Sequence, residues 1–307
     1  MNYNIYKLTF QSAVHFGDGG LTKGRSTLYA DTIFSALCQE ALKIGCLETL
    51  IEKTRKNCLR ISDGLPYIGD TYYIPKPLVS LTIEKNGDSK EKKELKKLEY
   101  IPEDQLDLYL KGEMDIRKER KKFSEQFGKP FLVEKAAVHE TKDSEPYAVS
   151  TFTFGKNSGL YVIVGTEEED VEFLISGLFD SLGYEGIGGK RSAGYGKFTA
   201  KVGKMESRWK ERLVTGEYER YCSLSTCIPR EDEMEKSLEN SRYRLVKRSG
   251  FVDSDHYAQS FRKKKDSYLL MAGSSFENKF DGELLDVSID GKHPVYRYAK
   301  SLLMGVK

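Results

Sequence analysis

The segment at 186–198, GIGGKRSAGYGKF, holds five glycines and three cations within thirteen residues. Glycine backbone can adopt positive φ angles and lie flush against a ligand, and bare amide groups next to Lys190 and Arg191 favour an anion such as phosphate. The spacing is not that of a P-loop, because Arg191 stands where a Ser or Thr must follow the lysine. Nor is it a dinucleotide-binding motif, because a predicted helix precedes the glycines.

The segments on either side of this glycine-rich loop predict a helix between two strands. A short apolar run at 159–164 is a predicted strand. Thr166 and Glu169 form a predicted capping box, and apolar side chains then recur at helical spacing as far as Gly183, the predicted helix end. Residues 194–202 alternate loosely as a final strand. The order strand, helix, loop, strand is the second half of a ferredoxin-like β-α-β-β-α-β domain.

The first half of such a domain is predicted upstream. Residues 3–13 contain an alternating strand, and a loop at 15–29 then carries four glycines. Asp31 is the predicted N-cap of a helix that ends at Gly45. Residues 65–83 alternate again as strands. All the elements of one ferredoxin-like domain are therefore predicted before residue 204.

The predicted fold class is α+β, with two ferredoxin-like (RRM-like) domains. The N-terminal domain is predicted at 1–204, with a long thumb-like insertion at about 82–148, where a mixed charge run replaces the apolar pattern. The C-terminal domain is predicted at 205–307, where strand-like segments surround one short helix. A chain of 307 residues has the length of about two domains of ~150 residues.

Composition excludes several classes of protein. The chain is 39% hydrophobic and 31% charged, as expected for a globular protein with an ordinary core, and no apolar run approaches the ~20 residues of a membrane span. Five cysteines without paired spacing predict a reducing cytoplasm, and Cys222 and Cys227 lack a second ligand pair, so no metal or other cofactor is expected. The net charge of +2 is too small to indicate RNA binding by itself, so local basic patches would have to bind any RNA.

Four segments together resemble the RAMP superfamily of CRISPR-associated proteins: DTIFSAL at 31–37, GIGGKRSAGYG at 186–196, GSSF at 273–276 and HPVYRY at 293–298. Within that superfamily the chain is similar to the single-copy subunit of the type III-A (Csm) effector complex. The resemblance implies a non-catalytic subunit that binds the 5′ handle of the guide RNA. It also implies a hetero-oligomer in which this subunit joins the large polymerase-like subunit to the backbone subunit, without membrane contact.

The predicted RNA-binding residues form three sets. The glycine-rich loop offers amides and cations for phosphates, a hydroxyl for a sugar or phosphate oxygen and a ring for base stacking, through Gly188, Gly189, Lys190, Arg191, Ser192, Gly194 and Tyr195. The loop before the first helix offers His15, Lys23, Arg25 and Ser26, and the second domain offers Arg297 and Tyr298. Core packing is the alternative for Tyr195, and support of a sheet edge is the alternative for Arg297 and Tyr298.

His15 carries an alternative function. RAMP relatives that process guide RNA precursors are metal-independent endoribonucleases with a histidine as general acid or base, and histidine changes protonation near neutral pH. The sequence shows no second catalytic group beside His15. Asp18 lies in a loop comparable to the one from which backbone subunits cleave target RNA, although Gly17-Asp18-Gly19-Gly20 is also an ordinary turn sequence. A scaffold that binds RNA only inside its assembly is the third possibility.

Overall fold

The computed structural model describes residues 1–81, 89–137, 145–254 and 256–307. The strands of these residues are β1 (Asn2–Phe10), β2 (Phe16–Gly17), β3 (Gly24–Arg25), β4 (Leu59–Ile61), β5 (Leu65–Ile68), β6 (Thr71–Pro75), β7 (Tyr100–Pro102), β8 (Gly128–Ala137), β9 (Glu145–Phe154), β10 (Ser158–Thr166), β11 (Phe198–Lys204), β12 (Tyr221–Ser223), β13 (Leu245–Arg248), β14 (Ser267–Leu270), β15 (Ser275–Phe276), β16 (Gly282–Asp286), β17 (Tyr296–Lys300) and β18 (Leu303–Gly305). The α-helices are α1 (Ala30–Lys43), α2 (Leu47–Arg55), α3 (Ser89–Lys97), α4 (Leu106–Lys111), α5 (Ile116–Gln126), α6 (Glu169–Glu185), α7 (Ser207–Lys210) and α8 (Met234–Leu238). None of the helices in these ranges is both long and apolar enough to cross a membrane.

A seven-stranded antiparallel sheet organises the N-terminal two thirds of the chain. Its strand order is β11-β1-β10-β5-β6-β7, and β4 also pairs with β10. The elements β1, α1, β4 with β5, β10, α6 and β11 follow one another in the order that the sequence predicts. The mixed class of helices and antiparallel sheets is thereby confirmed, while the division into two ferredoxin-like domains stays a prediction.

The central strand β10 is buried along its whole length. Leu160 and Val162 point to the face covered by α1 and α6, whereas Tyr161 and Ile163 point to the opposite face, where Trp209 of the C-terminal segment packs. A strand with both faces covered is apolar at every position, which explains why this segment is a continuous hydrophobic run.

The C-terminal third divides its strands among three small sheets. The orders are β15-β12-β18, β13-β14 and β16-β17. The strand β17 packs on α1 through the rings of Tyr298 and Phe34, whose centroids are 5.2 Å apart. A buried carboxylate also joins the two parts: Asp63 Oδ1 accepts the N–H groups of Ala30 and Thr226, each at 2.8 Å. The C-terminal third is therefore anchored directly to the start of α1.

The first helix begins differently from the prediction. Its N-cap residue is Tyr29, and Asp31 lies inside the first turn. The Asp31 carboxylate accepts from the guanidinium of Arg248 instead of from a backbone amide of its own helix. The N–H of Ala30 is bonded by Asp63, so a carboxylate from outside the helix does the capping.

The ends of α6 also differ from the prediction. Its N-cap residue is Glu168, whose side chain makes no capping bond, and Thr166 belongs to β10. The predicted capping box of Thr166 and Glu169 is therefore absent. The helix continues past Gly183 to Glu185. Gly183 lies against the carbonyl of Phe198, where a Cβ would meet the oxygen at 2.5 Å. Close packing, and not helix termination, explains this glycine.

The described residues of the predicted insertion contain three α-helices, the strand β7 of the main sheet and most of a long hairpin. Helices α3, α4 and α5 precede the hairpin of β8 and β9, which pair over ten residues. Residues 82–88 and 138–144 of the predicted insertion lie outside the described residues. The hairpin exposes Phe131 and Leu132, so its strands are only partly covered by the rest of the chain.

Candidate nucleic-acid interface

Main-chain hydrogen bonds hold the glycine-rich loop against the first loop of the chain. Gly189 N–H donates to the carbonyl of His15 at 2.8 Å, and Gly196 N–H donates to the carbonyl of Ala13 at 3.0 Å. Gly188 has a φ of 99°, and a Cβ there would lie 2.7 Å from the His15 oxygen. Glycine is required at 188 both for its backbone conformation and for this close approach. The two predicted RNA-binding loops therefore form one surface.

Residues 190–194, the middle of the glycine-rich loop, lie at the protein surface. Lys190, with a φ of 61°, leads into a 3-10 turn at Arg191–Ala193, and Gly194 ends that turn with a φ of 83°. Ser192 and Gly194 are exposed, and Lys190 is half-buried. The hydroxyl of Ser192 therefore remains accessible to a ligand.

The hairpin of β8 and β9 contacts this loop through two cation–π pairs. Lys190 Nζ lies 4.9 Å from the ring centroid of Tyr147, and Lys135 Nζ lies 4.5 Å from that of Tyr195. Lys135 and Tyr147 are cross-strand partners in the hairpin, so a single residue pair of the hairpin contacts both Tyr195 and Lys190. Tyr195 is half-buried beside that lysine and does not lie in the core. Its stacking on a base stays a prediction.

A cleft of about 290 Å³ lies beside the loop, bounded by the first loop, the start of α1 and the segment 248–253. Two guanidinium groups flank Tyr29 in its wall: Arg25 at 4.5 Å and Arg248 at 4.1 Å from the ring centroid. Arg25 Nε and the Tyr29 hydroxyl are buried without a hydrogen-bond partner in the described part of the chain. Burial raises the pKa of Tyr29, so its hydroxyl keeps its proton at neutral pH. Unpaired buried donors are costly, and an acceptor on a ligand would relieve that cost.

The charge of the cleft is predominantly positive. Five cations and two carboxylates line it: Arg25, Arg191, Arg248, Lys264 and Arg297 against Asp31 and Asp253. Arg248 and Arg297 contact Asp31, and Arg191 contacts Asp253 at 3.2 Å. Arg25 has no carboxylate within ion-pair distance among the described residues. The cleft therefore favours an anionic ligand.

The predicted residues of the first loop occupy three different environments. Lys23 is exposed in the turn between β2 and β3, and Ser26 is half-buried in a second cavity that Arg25 also lines. His15 is only 6% exposed, and its Nδ1 donates to the carbonyl of Ser150 at 2.6 Å. Gly189 covers the His15 ring, since a Cβ at 189 would lie 2.8 Å from its Cδ2. His15 therefore supports the loop from beneath.

Arg297 and Tyr298 lie in the protein interior. Arg297 is 3% exposed and donates to the carbonyls of Arg248 and Lys265. Tyr298 is fully buried, and its hydroxyl accepts the N–H of Ile61 at 2.7 Å. The burial of Tyr298 corrects that predicted RNA contact, because its side chain presents no surface to a ligand. Arg297 supports the fold through these hydrogen bonds and also lines the cleft, so its RNA contact stays a prediction.

Sequence reasoning missed Tyr29 and Arg248. Tyr29 lies four residues after Arg25 and directly precedes α1, and Arg248 ends a basic stretch that begins at Arg242. Neither position forms a motif with the glycine-rich loop. Of the residues that the structure describes, no group of three or more His, Cys, Asp or Glu side chains is placed to hold a metal ion.

Two family models match this chain. The model described as the RAMP superfamily matches residues 7–199, and the model described as the CRISPR Csm4 C-terminal domain matches residues 216–306. The protein named CRISPR system Cms protein Csm4 from Mycobacterium tuberculosis strain H37Rv is 38% identical over 308 residues, with 100% of this chain and 98% of that protein covered. Its namesake from Streptococcus thermophilus is 32% identical over 310 residues, with 98% of both chains covered.

Solved structures share the fold. A chain of the crystal structure of a Csm3-Csm4 subcomplex in the type III-A CRISPR-Cas interference complex superposes with a TM-score of 0.68 at 18% identity, covering 100% of both chains. A chain of a Csm1-Csm4 cassette in complex with cA4 gives a TM-score of 0.63 at 20% identity, covering 99% of this chain and 98% of that one.

Proposed function

This chain belongs to the Csm4 family within the RAMP superfamily, and we propose on that basis that it is a non-catalytic, RNA-binding subunit of a type III-A CRISPR interference complex. It binds the 5′ handle of the guide RNA and links the large polymerase-like subunit to the backbone subunit, as part of a cytoplasmic hetero-oligomer. Relatives solved as Csm3-Csm4 and Csm1-Csm4 complexes, which this chain matches over nearly its whole length, support the partners.

The cleft beside the glycine-rich loop carries the proposal for RNA. Single-stranded RNA presents phosphates, 2′-hydroxyls and unstacked bases, all of which accept hydrogen bonds. Arg25 and Tyr29 each hold a buried donor without a partner in the described residues, and both residues line a cleft with more cations than carboxylates. The cations of this cleft are therefore the groups that we assign to phosphates of the handle.

The position of His15 supports a non-catalytic role. A general acid or base must reach the proton that it transfers, either directly or through one water. The His15 ring is covered by Gly189 and bonded to the carbonyl of Ser150. We therefore assign His15 a structural role beneath the glycine-rich loop, and not the nuclease chemistry of the precursor-processing relatives.

The outer face of α6 supports a protein-binding role as well. A subunit that joins two unlike neighbours needs a different face for each. Phe173 and Tyr184 on α6 are each 83% exposed, and the helix contains five acidic residues and no lysine or arginine. Such a face is unsuited to RNA and suits a protein neighbour.

In this proposal β1 to β11 form the first ferredoxin-like domain, and 82–148 is its inserted thumb.

Binding of the handle RNA to the full-length protein in EDTA tests the RNA-binding proposal. Arg25→Ala is expected to weaken binding by roughly 10- to 100-fold, because a charged hydrogen bond is lost. Arg208→Ala is the matched control, since Arg208 pairs with Asp107 at 2.9 Å and does not line the cleft. Equal affinity of the Arg25→Ala variant and the unmodified protein would refute the cleft as the handle site.

Incubation with precursor RNA tests the absence of catalysis. We expect no cleavage products from the full-length protein in EDTA. Products that disappear with His15→Ala would overturn the non-catalytic assignment and establish the endoribonuclease alternative.

A further inference from the structure

We propose that a basic ribbon, residues 242–252 with 261–268, is a second binding site for single-stranded RNA that continues from the cleft. This inference rests on the proposed function, because it extends the path of the same guide RNA. None of the residues predicted from the sequence as RNA contacts lies in this ribbon.

The ribbon is a two-stranded antiparallel structure built around β13 and β14. Its central pairs include Lys247 with Tyr268. Pairing continues beyond β13 to a bridge between Phe251 and Lys263. Alternate residues of a strand face the same side, so Leu245 and Lys247 share one face with the cross-strand residue Tyr268. Tyr243 lies two residues before β13.

Aromatic rings are unusually exposed along this ribbon. Tyr243 is 44% exposed, Tyr268 is 59% exposed, and Phe261, next to the cations Arg262 and Lys263, is 89% exposed. Exposed aromatic side chains on a flat strand surface form the stacking platforms on which proteins bind unpaired bases.

Unpaired cations surround these rings. Segment 242–268 contains eight basic and three acidic residues, an excess that exceeds the net charge of +2 of the whole chain. Lys247 pairs with Asp266 at 2.8 Å, whereas Arg242, Arg244, Arg262, Lys263 and Lys265 form no ion pair within the described residues. Cations left without carboxylates attract the phosphates of a nucleic acid. Charge therefore favours RNA over a protein surface as the occupant.

The ribbon is continuous with the cleft. Arg248, Phe251 and Lys264 belong to the ribbon and also line the cleft. Arg248 stacks on Tyr29 from the cleft side, while its neighbour Lys247 lies on the outer face of the ribbon. An RNA strand that leaves the cleft past Arg248 therefore meets the rings of the ribbon next.

Two RNAs separate this site from the handle site: the handle alone, and the handle extended into the guide. The full-length variants Tyr243→Ala, Tyr268→Ala and Phe261→Ala are each expected to bind the extended RNA roughly 5- to 150-fold more weakly than the unmodified protein does, because one base stack is lost. Each variant is expected to bind the handle alone as well as the unmodified protein does. Tyr268→Phe keeps the ring and is expected to keep the affinity. Phe173→Ala, an equally exposed ring among the acids of α6, is the control.

The outcomes distinguish the two sites. If Arg25→Ala leaves the affinity for both RNAs unchanged while the ribbon variants still weaken binding of the extended RNA, the cleft is refuted as the handle site and the ribbon proposal is supported. If the ribbon variants bind both RNAs as tightly as the unmodified protein does, the ribbon proposal is overturned. If a subunit is then missing from complexes assembled with those variants, the ribbon is a protein-binding surface. Thermal unfolding of each variant shows that the altered side chains, all of them exposed, do not act through the fold.

Discussion

Asp31 and Arg248, 217 residues apart in sequence, form a two-point ion pair. Arg248 Nε donates to Asp31 Oδ2 and a terminal nitrogen of the guanidinium donates to Oδ1, both at 2.9 Å. The side chains are 8% and 17% exposed. This pair fastens the basic ribbon to the first turn of α1 and holds the Arg248 guanidinium against Tyr29. The shape of the cleft therefore depends on a contact between the N-terminal and the C-terminal parts of the chain.

Removal of one partner of this pair is expected to destabilise the protein. Asp31→Ala would leave Arg248 buried without its charge partner, which typically costs about 3–5 kcal/mol of the free energy of unfolding. Urea unfolding measures the loss. Asp253→Ala is the control, because Asp253 is 69% exposed in its pair with Arg191 and such pairs contribute about 0–1 kcal/mol. Equal stability of the two variants would show that the Asp31–Arg248 pair does not anchor the ribbon.

Much of the N-terminal fold follows from local pattern, and the cleft does not. The periodicity of α6 and the apolar run of β10 are properties of neighbouring residues, and the sequence therefore predicts both elements. The predicted N-cap at Asp31 is wrong because the carboxylate serves a distant arginine, and no local rule anticipates that partner. Tyr29 belongs to the site because the folded chain places Arg25 and Arg248 on its ring, and these contacts are not visible in the sequence.

Asp63 is expected to make stability depend on pH. Burial raises its pKa from 3.8 to about 6, even though Thr226 and Ala30 donate hydrogen bonds to its carboxylate. The folded protein therefore holds a proton that the unfolded chain releases between these two values, so stability falls as pH rises from about 4 to about 6. The contribution is up to roughly 3 kcal/mol, at about 1.4 kcal/mol per pKa unit.

Asp63→Asn tests this assignment, because an amide oxygen can still accept from Ala30 and Thr226 but the side chain does not titrate. We expect urea unfolding of this variant at a series of pH values to show a flatter profile between pH 4 and 6 than the unmodified protein. Identical slopes would place the pH dependence at another group.

Alanine at Gly188 is expected to disturb the glycine-rich loop. The φ of 99° is strained for a residue with a Cβ, and that Cβ would lie 2.7 Å from the His15 carbonyl oxygen. Backbone strain of this kind costs about 1–3 kcal/mol, so both the melting temperature and handle affinity should fall. Gly20→Ala, with no atom within 4 Å of the added Cβ and no positive φ, should change neither. A Gly188→Ala variant with the melting temperature and handle affinity of the unmodified protein would mean that the loop readily rearranges.

The contact between Lys135 and Tyr195 is expected to couple the hairpin to the glycine-rich loop. A cation–π pair at a half-exposed site contributes about 0.5–1 kcal/mol. A double-mutant cycle of Lys135→Ala and Tyr195→Ala, measured by urea unfolding, should show a coupling free energy of that size. If Tyr195 also stacks on a base, Tyr195→Ala loses a further ~1–3 kcal/mol of handle binding. A loss confined to folding stability would assign the ring to packing.

Lys190 and Arg191 are expected to differ in their contribution to the salt dependence of RNA binding. Each phosphate contact with single-stranded RNA contributes a slope of about −0.7 to the plot of log affinity against log salt concentration. Lys190 has an aromatic neighbour but no carboxylate partner in the described residues, whereas Arg191 is paired with Asp253 and must exchange that partner for a phosphate. Lys190→Ala should therefore flatten the slope by about 0.7, and Arg191→Ala should flatten it less. Fluorescence anisotropy with labelled handle RNA across a salt series provides both slopes, and a slope that neither substitution changes would remove the cations of this loop from the phosphate contacts.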